Sequence, residues 1–195
     1  MVHILEEIEK YAKIENVPIM EKEGIEFLTN FIKKNKIKTI LEIGSAIGYS
    51  ASKMALVSKD IKITTIERDV KRYNKAIENI NKLNLNNQIS IYNEDALLFN
   101  TNDQYDLIFI DAAKSQYIKF FEKYSKNLAE NGFIISDNIS FHGLVEGQYD
   151  TYSRNVKGLV RKLKNYISYL EENKHFTTEF IDIGDKIAIT TLAKK

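Results

Sequence analysis

The chain has no cysteine, which excludes disulfide staples, a thiolate nucleophile and a thiolate zinc site. Its only proline is Pro18, and no stretch rich in proline, glycine and serine reads as an interdomain linker. Neither sign of charge dominates. The 28 Lys and Arg against 27 Asp and Glu leave a formal net charge of +1, so there is no global nucleic-acid footprint and no acidic tail. No apolar run approaches the roughly 18 residues of a membrane-spanning helix. The opening segment, Met1 to Lys10, interleaves charge with apolar residues, unlike the unbroken apolar stretch of a secretory leader. These absences lead to the expectation of a cytoplasmic protein with no membrane partner. With 195 residues, 44% of them hydrophobic, one domain with a sizeable core is expected, an N-terminal helical cap over 1–35 and an α/β core over 36–195.

What is present is a change of period. Ile4, Ile8 and Tyr11, then Ile25, Leu28 and Ile32 with Phe27 and Phe31, recur at helical spacing, which predicts two helices separated at Val17-Pro18. From residue 37 short β-type runs alternate with helical patterns: 39–43, 61–66, 89–92, 106–110 and 133–135. Asp69 reads as the N-cap of a helix whose face carries Tyr73, Ala76, Ile77, Ile80 and Leu83. Alternation of this kind predicts a doubly wound parallel sheet. The end of the chain differs: a helix over 152–172 precedes two runs, 177–183 and 186–191, joined at Gly184-Asp185, which predicts an antiparallel hairpin at the sheet's edge.

Two apolar runs end in acid: Tyr105 to Asp111, followed by Ala-Ala-Lys114, and Gly132 to Asp137, followed by Asn138. As neighbouring parallel strands they would gather Asp111, Asp137, Asn138 and Lys114 at the carboxyl edge, where open α/β sheets bind ligands. Two carboxylates and an amide oxygen suit a hard cation such as Mg²⁺. The plainer alternative is two strands whose terminal Asp residues cap the helices that follow. Upstream, Leu41 to Ser50 follows the first strand with Gly44-x-x-x-Gly48, which is not the dinucleotide fingerprint and disfavours a pyrophosphate cradle. Twenty-three residues past Gly44, Glu67 ends the second strand, where a carboxylate can accept two ribose hydroxyls; Asp95 ends the third, within reach of an adenine amino group. Taken together these favour an adenosine-type ligand.

The segments Leu41-Glu-Ile-Gly-Ser-Ala-Ile-Gly-Tyr-Ser50, Ile63-Thr-Thr-Ile-Glu-Arg-Asp69, Phe109-Ile-Asp-Ala-Ala-Lys-Ser-Gln-Tyr117 and Ser136-Asp-Asn138 resemble those of a known family. That family is the metal-dependent class I S-adenosylmethionine O-methyltransferases of the catechol and caffeoyl-CoA type. The resemblance runs from about Val17 to the C-terminus. Within the family the chain is most similar to the bacterial branch that methylates 5-hydroxyuridine at the tRNA wobble position, through Pro18 to Gly24, Asp111 to Tyr117, Ser136 to Val145 and Ile183 to Ile189. The resemblance implies a Rossmann-like class I methyltransferase fold, with a seven-stranded mostly parallel sheet, a C-terminal antiparallel hairpin and helices on both faces. It places Glu42, Gly44, Ser50, Glu67, Asp95, Ala96 and Asp111 at the methyl donor, Asp111, Asp137 and Asn138 on a divalent metal, and Lys114, with Asp111, in the catalytic role. The implied cofactors are S-adenosylmethionine and Mg²⁺ or another divalent cation, and the implied assembly is a homodimer acting on a tRNA anticodon loop. Glu94 departs from the family, which usually has glycine before the Asp-Ala pair.

Arg154, Lys157, Arg161 and Lys164 recur at spacings of three, four and three, expected as one basic stripe on the late helix. The stripe suits an RNA backbone, with Phe141, Tyr149 or Tyr152 stacking on a base, or equally a solvated face. His142 near the metal loop could meet substrate, although a lone loop histidine is more often polar surface; with His3 and His175 it makes no metal-site pattern. Small catechols or acyl-CoA phenolics are the alternative substrates. A dehydrogenase is disfavoured by the missing third glycine and the acidic cluster, and a noncatalytic RNA-binding module by the complete Asp, Lys, Asp, Asn set.

Overall fold

The computed structural model describes residues 2–147 and 152–193, and the chain divides into two compact units, Met1–Thr101 and Asn102–Lys195. In the first unit, helices α1 (Val2–Ile14) and α2 (Lys22–Lys34) are separated around Pro18, with Asn16 left-handed at φ 51 where α1 ends. The apolar spacing of α2 decides its orientation: Ile25, Leu28 and Ile32 are buried, while Phe27 and Phe31 pair at 5.9 Å on its flank. Strands β1 (Thr39–Ile43), β2 (Lys62–Ile66) and β3 (Ile89–Tyr92) pair in parallel in the order β3-β2-β1. Ile40, Leu41 and Ile43 are fully buried, the signature of a parallel strand covered on both faces.

Two helices connect these strands, α3 (Tyr49–Ala55) and α4 (Val70–Lys82). Asp69 caps α4, accepting from the Arg72 N–H at 2.9 Å, and Ala76 and Ile80 bury the predicted face. Helix α3 opens at Gly48, whose φ of 76 is left-handed. A Cβ there would stand 3.2 Å from the Ala76 Cβ, so the glycine supplies both the turn and the close approach of α3 to α4.

The second unit holds β4 (Tyr105–Ile110), α5 (Tyr117–Tyr124), β5 (Leu128–Ser136), α6 (Arg154–Glu171), β6 (Phe176–Ile181) and β7 (Ile187–Leu192). β4 and β5 are parallel, β7 is antiparallel to both β5 and β6, and the order is β4-β5-β7-β6. The hairpin turns where Gly184-Asp185 predicts it, with Gly184 at φ 55 and the Lys186 N–H donating to the Ile183 carbonyl at 3.1 Å. β5 is longer than the apolar run 133–135 because it begins before Glu130-Asn131-Gly132, a polar stretch that carries no strand signal. The pairing slips there, with a register shift between Tyr105 and Leu107. The seven strands make a mixed, mostly parallel sheet, as the sequence predicts. No helix among the described residues is long and apolar enough to cross a membrane.

Replacing Gly48 by alanine forces a side chain into left-handed backbone against α4 and is expected to cost roughly 1–2 kcal/mol for the backbone alone. A urea titration should show a lower midpoint at unchanged slope; an unchanged midpoint would contradict this packing.

Candidate active site

In the first unit the site grows from the carboxyl ends of β1, β2 and β3. Glu42 is fully buried on β1 and accepts from the Ser50 hydroxyl at 2.5 Å and from the Thr65 hydroxyl, which compensates the removal of its carboxylate from water. Past β1 the backbone turns through Gly44 (φ 96) and Ala46 (φ 45), with the Gly44 and Ser45 N–H groups sharing the Ile66 carbonyl at 3.0 and 3.2 Å. Glu67, buried at the end of β2, takes the Ala46 N–H on Oε2 at 2.9 Å and the Asp69 N–H on Oε1 at 2.8 Å. Its carboxylate is thereby fixed against the glycine turn, and each oxygen keeps further acceptor capacity for a ligand hydroxyl. Ser45 Oγ is buried without a hydrogen-bond partner in this turn. After β3, Asp95 is half-buried and caps its own turn through the Leu97 N–H at 2.8 Å, with Ala96 buried beside it and Glu94 exposed.

In the second unit, β4 and β5 deliver the acids. Asp137 is buried at the end of β5, its N–H donating to the Ile110 carbonyl at 3.1 Å. Burial first, and then the charge of Asp111, push its carboxyl up to about 7, against the pull of Lys114 and the Asn138 N–H. Lys114 Nζ lies 3.3 Å from Asp111 Oδ1, 3.0 Å from the Tyr117 hydroxyl and 3.4 Å from the Asp137 carbonyl oxygen. Tyr117 donates its own proton to that carbonyl at 2.9 Å, and burial keeps the phenol protonated. Asn138 is left-handed at φ 55, a conformation asparagine tolerates, and its Oδ1 is buried without a hydrogen-bond donor. A buried amide oxygen with no donor, on the residue that follows a desolvated carboxylate already opposed by the charge of Asp111, leaves acceptors short of a positive charge. Asp111, Asp137 and Asn138 therefore fit a hard divalent cation.

The loop after Asn138 is tied to the β6–β7 turn. The Ile139 N–H meets the Lys186 carbonyl at 3.1 Å, the Ser140 N–H meets the Asp185 carbonyl at 2.9 Å, and Asp185 Oδ2 lies 2.7 Å from His142 Nδ1. His142 thus has a carboxylate partner, and both it and Phe141 are held at positive φ. Asp185, which the sequence marks only as a turn residue, anchors this loop, and no local signal shows that. Tyr117 closes the resembling segment Phe109 to Tyr117, but nothing local shows its contacts with Lys114 and the Asp137 carbonyl. On α6, Arg154, Arg161 and Lys164 are exposed as expected, but Lys157 is half-buried. Tyr152 is exposed and Phe141 half-buried, whereas Tyr149 lies outside the described residues.

The model of the O-methyltransferase family matches residues 2–195. A caffeoyl-CoA O-methyltransferase of Populus kitakamiensis is 26% identical over 189 residues, which cover 92% of this chain and 80% of that protein. Among solved structures, a Staphylococcus aureus protein provisionally named a caffeoyl-CoA O-methyltransferase matches with a TM-score of 0.92 at 39% identity, covering 97% of this chain and 92% of that one. A Bacillus cereus O-methyltransferase crystallised with SAH matches with a TM-score of 0.84 at 23% identity, covering 98% and 91%. At that identity the likeness speaks for the fold, and the Rossmann-like methyltransferase architecture expected from the sequence is the one observed.

Because native Asp137 holds a proton that the unfolded chain releases near its ordinary 3.8, the metal-free protein should lose stability as pH rises from about 4 to 7. Denaturant titrations in EDTA should show this loss relative to Asp137→Asn, which lacks the ionisation. Parallel pH profiles for the two proteins would contradict the burial of this carboxyl.

Proposed function

The chain belongs to the O-methyltransferase family, and we propose that it moves a methyl group from S-adenosylmethionine to a hydroxyl oxygen that has a second oxygen beside it, as in catechols and caffeoyl-CoA-like phenolics. The observation that carries this reading is the cluster of Asp111, Lys114, Asp137 and Asn138, with the unsatisfied Asn138 Oδ1. When bound, S-adenosylmethionine would supply the electrophilic methyl carbon, and a divalent cation would supply polarisation of the acceptor hydroxyl.

The protein's own residues do the rest. Glu67 receives ribose hydroxyls of the donor on oxygens already aimed by the Ala46 and Asp69 N–H groups. Gly44 leaves room for the ligand against the backbone, Ser50 and Glu42 brace the turn, and Asp95 with Ala96 meets the base. Asp111, Asp137 and Asn138 would hold the cation. Lys114, held by Asp111, the Tyr117 hydroxyl and the Asp137 carbonyl, would in its neutral amine form take the acceptor hydroxyl's proton as the oxygen–methyl bond forms and the donor's sulfur–methyl bond breaks. Positioning of the oxygen against the methyl carbon then contributes through lost freedom already spent on binding.

A second acceptor, 5-hydroxyuridine in a tRNA anticodon loop, is supported by the resemblance of Asp111 to Tyr117 and Ser136 to Val145 to that branch. It is also supported by Arg154, Arg161 and Lys162, exposed on α6. A 5-hydroxyl beside a 4-carbonyl offers the same two adjacent oxygens as a catechol. The phenolic reading has in addition the support of relatives named for caffeoyl-CoA.

Labelled S-adenosylmethionine with Mg²⁺, offered a simple catechol, caffeoyl-CoA and, separately, tRNA carrying unmethylated hydroxyuridine, tests both. Label should enter at least one acceptor, fall to background with EDTA, and drop roughly 10²- to 10⁴-fold in Lys114→Ala. Transfer that survives EDTA sinks the metal role, and an unimpaired Lys114→Ala sinks the lysine's.

A further inference from the structure

Helix α6 packs against the short 3-10 turn Lys114–Gln116, and between them lies a groove of about 370 Å³ lined by Ser115, Arg154, Asn155, Gly158, Leu159 and Lys162. We propose that this groove is a phosphate subsite that holds a nucleotide portion of the methyl acceptor, an inference that rests on the O-methyltransferase reading above.

Arg154, Gly158 and Lys162 stand four residues apart and so follow one ridge of the helix, with the two cations about 12 Å apart along its axis. Both cations are exposed, and neither forms an ion pair with another described residue. The polar groups of the lining are a guanidinium, an ammonium, a hydroxyl and an amide, and no carboxylate is among them. That is a donor-rich set, suited to phosphate oxygens and unsuited to a cation.

Gly158 makes the stronger argument. It sits in the interior of an 18-residue helix, where glycine is the least favourable residue after proline, and its φ is not left-handed. A Cβ built there meets nothing within 4 Å, so neither backbone conformation nor packing against the described residues requires the glycine. What the missing side chain does is leave the ridge open between Arg154 and Lys162. The helix gives up stability at this position, and the open space left beside the two cations is available to a ligand.

The place suits an acceptor anchor. Ser115 shares its 3-10 turn with Lys114, so a phosphate held here anchors the acceptor to the element that carries Lys114, and binding energy from the non-reacting part of the molecule can position the reacting oxygen. Coenzyme A and an RNA strand both present nucleotide phosphates.

The test uses the full chain without donor or metal, titrated at low salt with coenzyme A and, separately, with a short single-stranded oligoribonucleotide. The unaltered protein should bind at least one of them with an affinity that falls as salt rises. Gly158→Ala should raise Tm by about 2 °C and yet weaken that binding several-fold, a combination that a purely structural role would not produce. The double variant Arg154→Ala/Lys162→Ala should weaken it about tenfold or more and flatten the salt dependence. Coenzyme A alone binding identifies a small nucleotide-bearing acceptor, and RNA alone identifies a nucleic-acid one; either supports the subsite. No binding of either probe, or equal binding by the unaltered protein and both variants, overturns it. Methyl transfer by the unaltered protein to an unphosphorylated catechol reports on the parent reading separately: transfer without probe binding removes the subsite only, whereas binding without any transfer removes the parent reading and leaves the subsite.

Discussion

Holding a carboxylate out of water at the end of a buried parallel strand is the constraint on which this molecule's chemistry depends. β4 and β5 are apolar because both faces are covered, and each is followed by an acid, so Asp137 emerges where the dielectric is low and the charge of Asp111 adds to the cost of its own. Lys114 offsets part of that cost through its ion pair with Asp111 at 3.3 Å. The remainder is left standing: Asp137 retains a proton to about pH 7 and Asn138 Oδ1 has no donor. A binding site for a hard cation is, in physical terms, that residue of unmet electrostatic demand.

The first unit meets the same problem by satisfying it internally. Glu42 is as deeply buried as any residue in the chain, yet two hydroxyls donate to it, and Glu67 is pinned by two backbone N–H groups. These carboxylates act as fixed acceptors whose direction is decided before a ligand arrives, which limits the reorganisation that binding requires. One unit thus holds carboxylates whose hydrogen bonds are met internally, and the other holds a buried carboxylate and an amide oxygen whose demand is not.

Behind the cluster stands an aromatic support. Tyr117 packs edge-on against Tyr166 at 5.3 Å, and the Tyr166 hydroxyl meets the Ser136 Oγ at 2.6 Å, one residue before Asp137. Both phenols are buried and stay protonated, so each functions as a directed dipole. Through them α5 and α6 are keyed to the end of β5. The loop beyond is fastened from the other side by Asp185 and Lys186 of the hairpin turn.

Much of this was legible in the chain. Continuous apolar runs ending in acid, the Gly44-x-x-x-Gly48 turn, the Asp69 cap and the Gly184-Asp185 turn are local statements, because burial on both faces, positive φ and capping each demand particular residue types at particular places. Strand identity, strand direction and the clustering of Asp111, Lys114, Asp137 and Asn138 follow from them. The polar first half of β5, the Asp185 anchor under His142, the Tyr117 bridge between Lys114 and the Asp137 carbonyl, and the gap that Gly158 leaves between Arg154 and Lys162 were not legible. Each depends on a partner tens of residues away or on the space around a side chain. Periodicity and composition carry no distances between remote segments, so only the folded chain decides which carboxylate is satisfied, which amide oxygen is left waiting, and which glycine opens onto nothing.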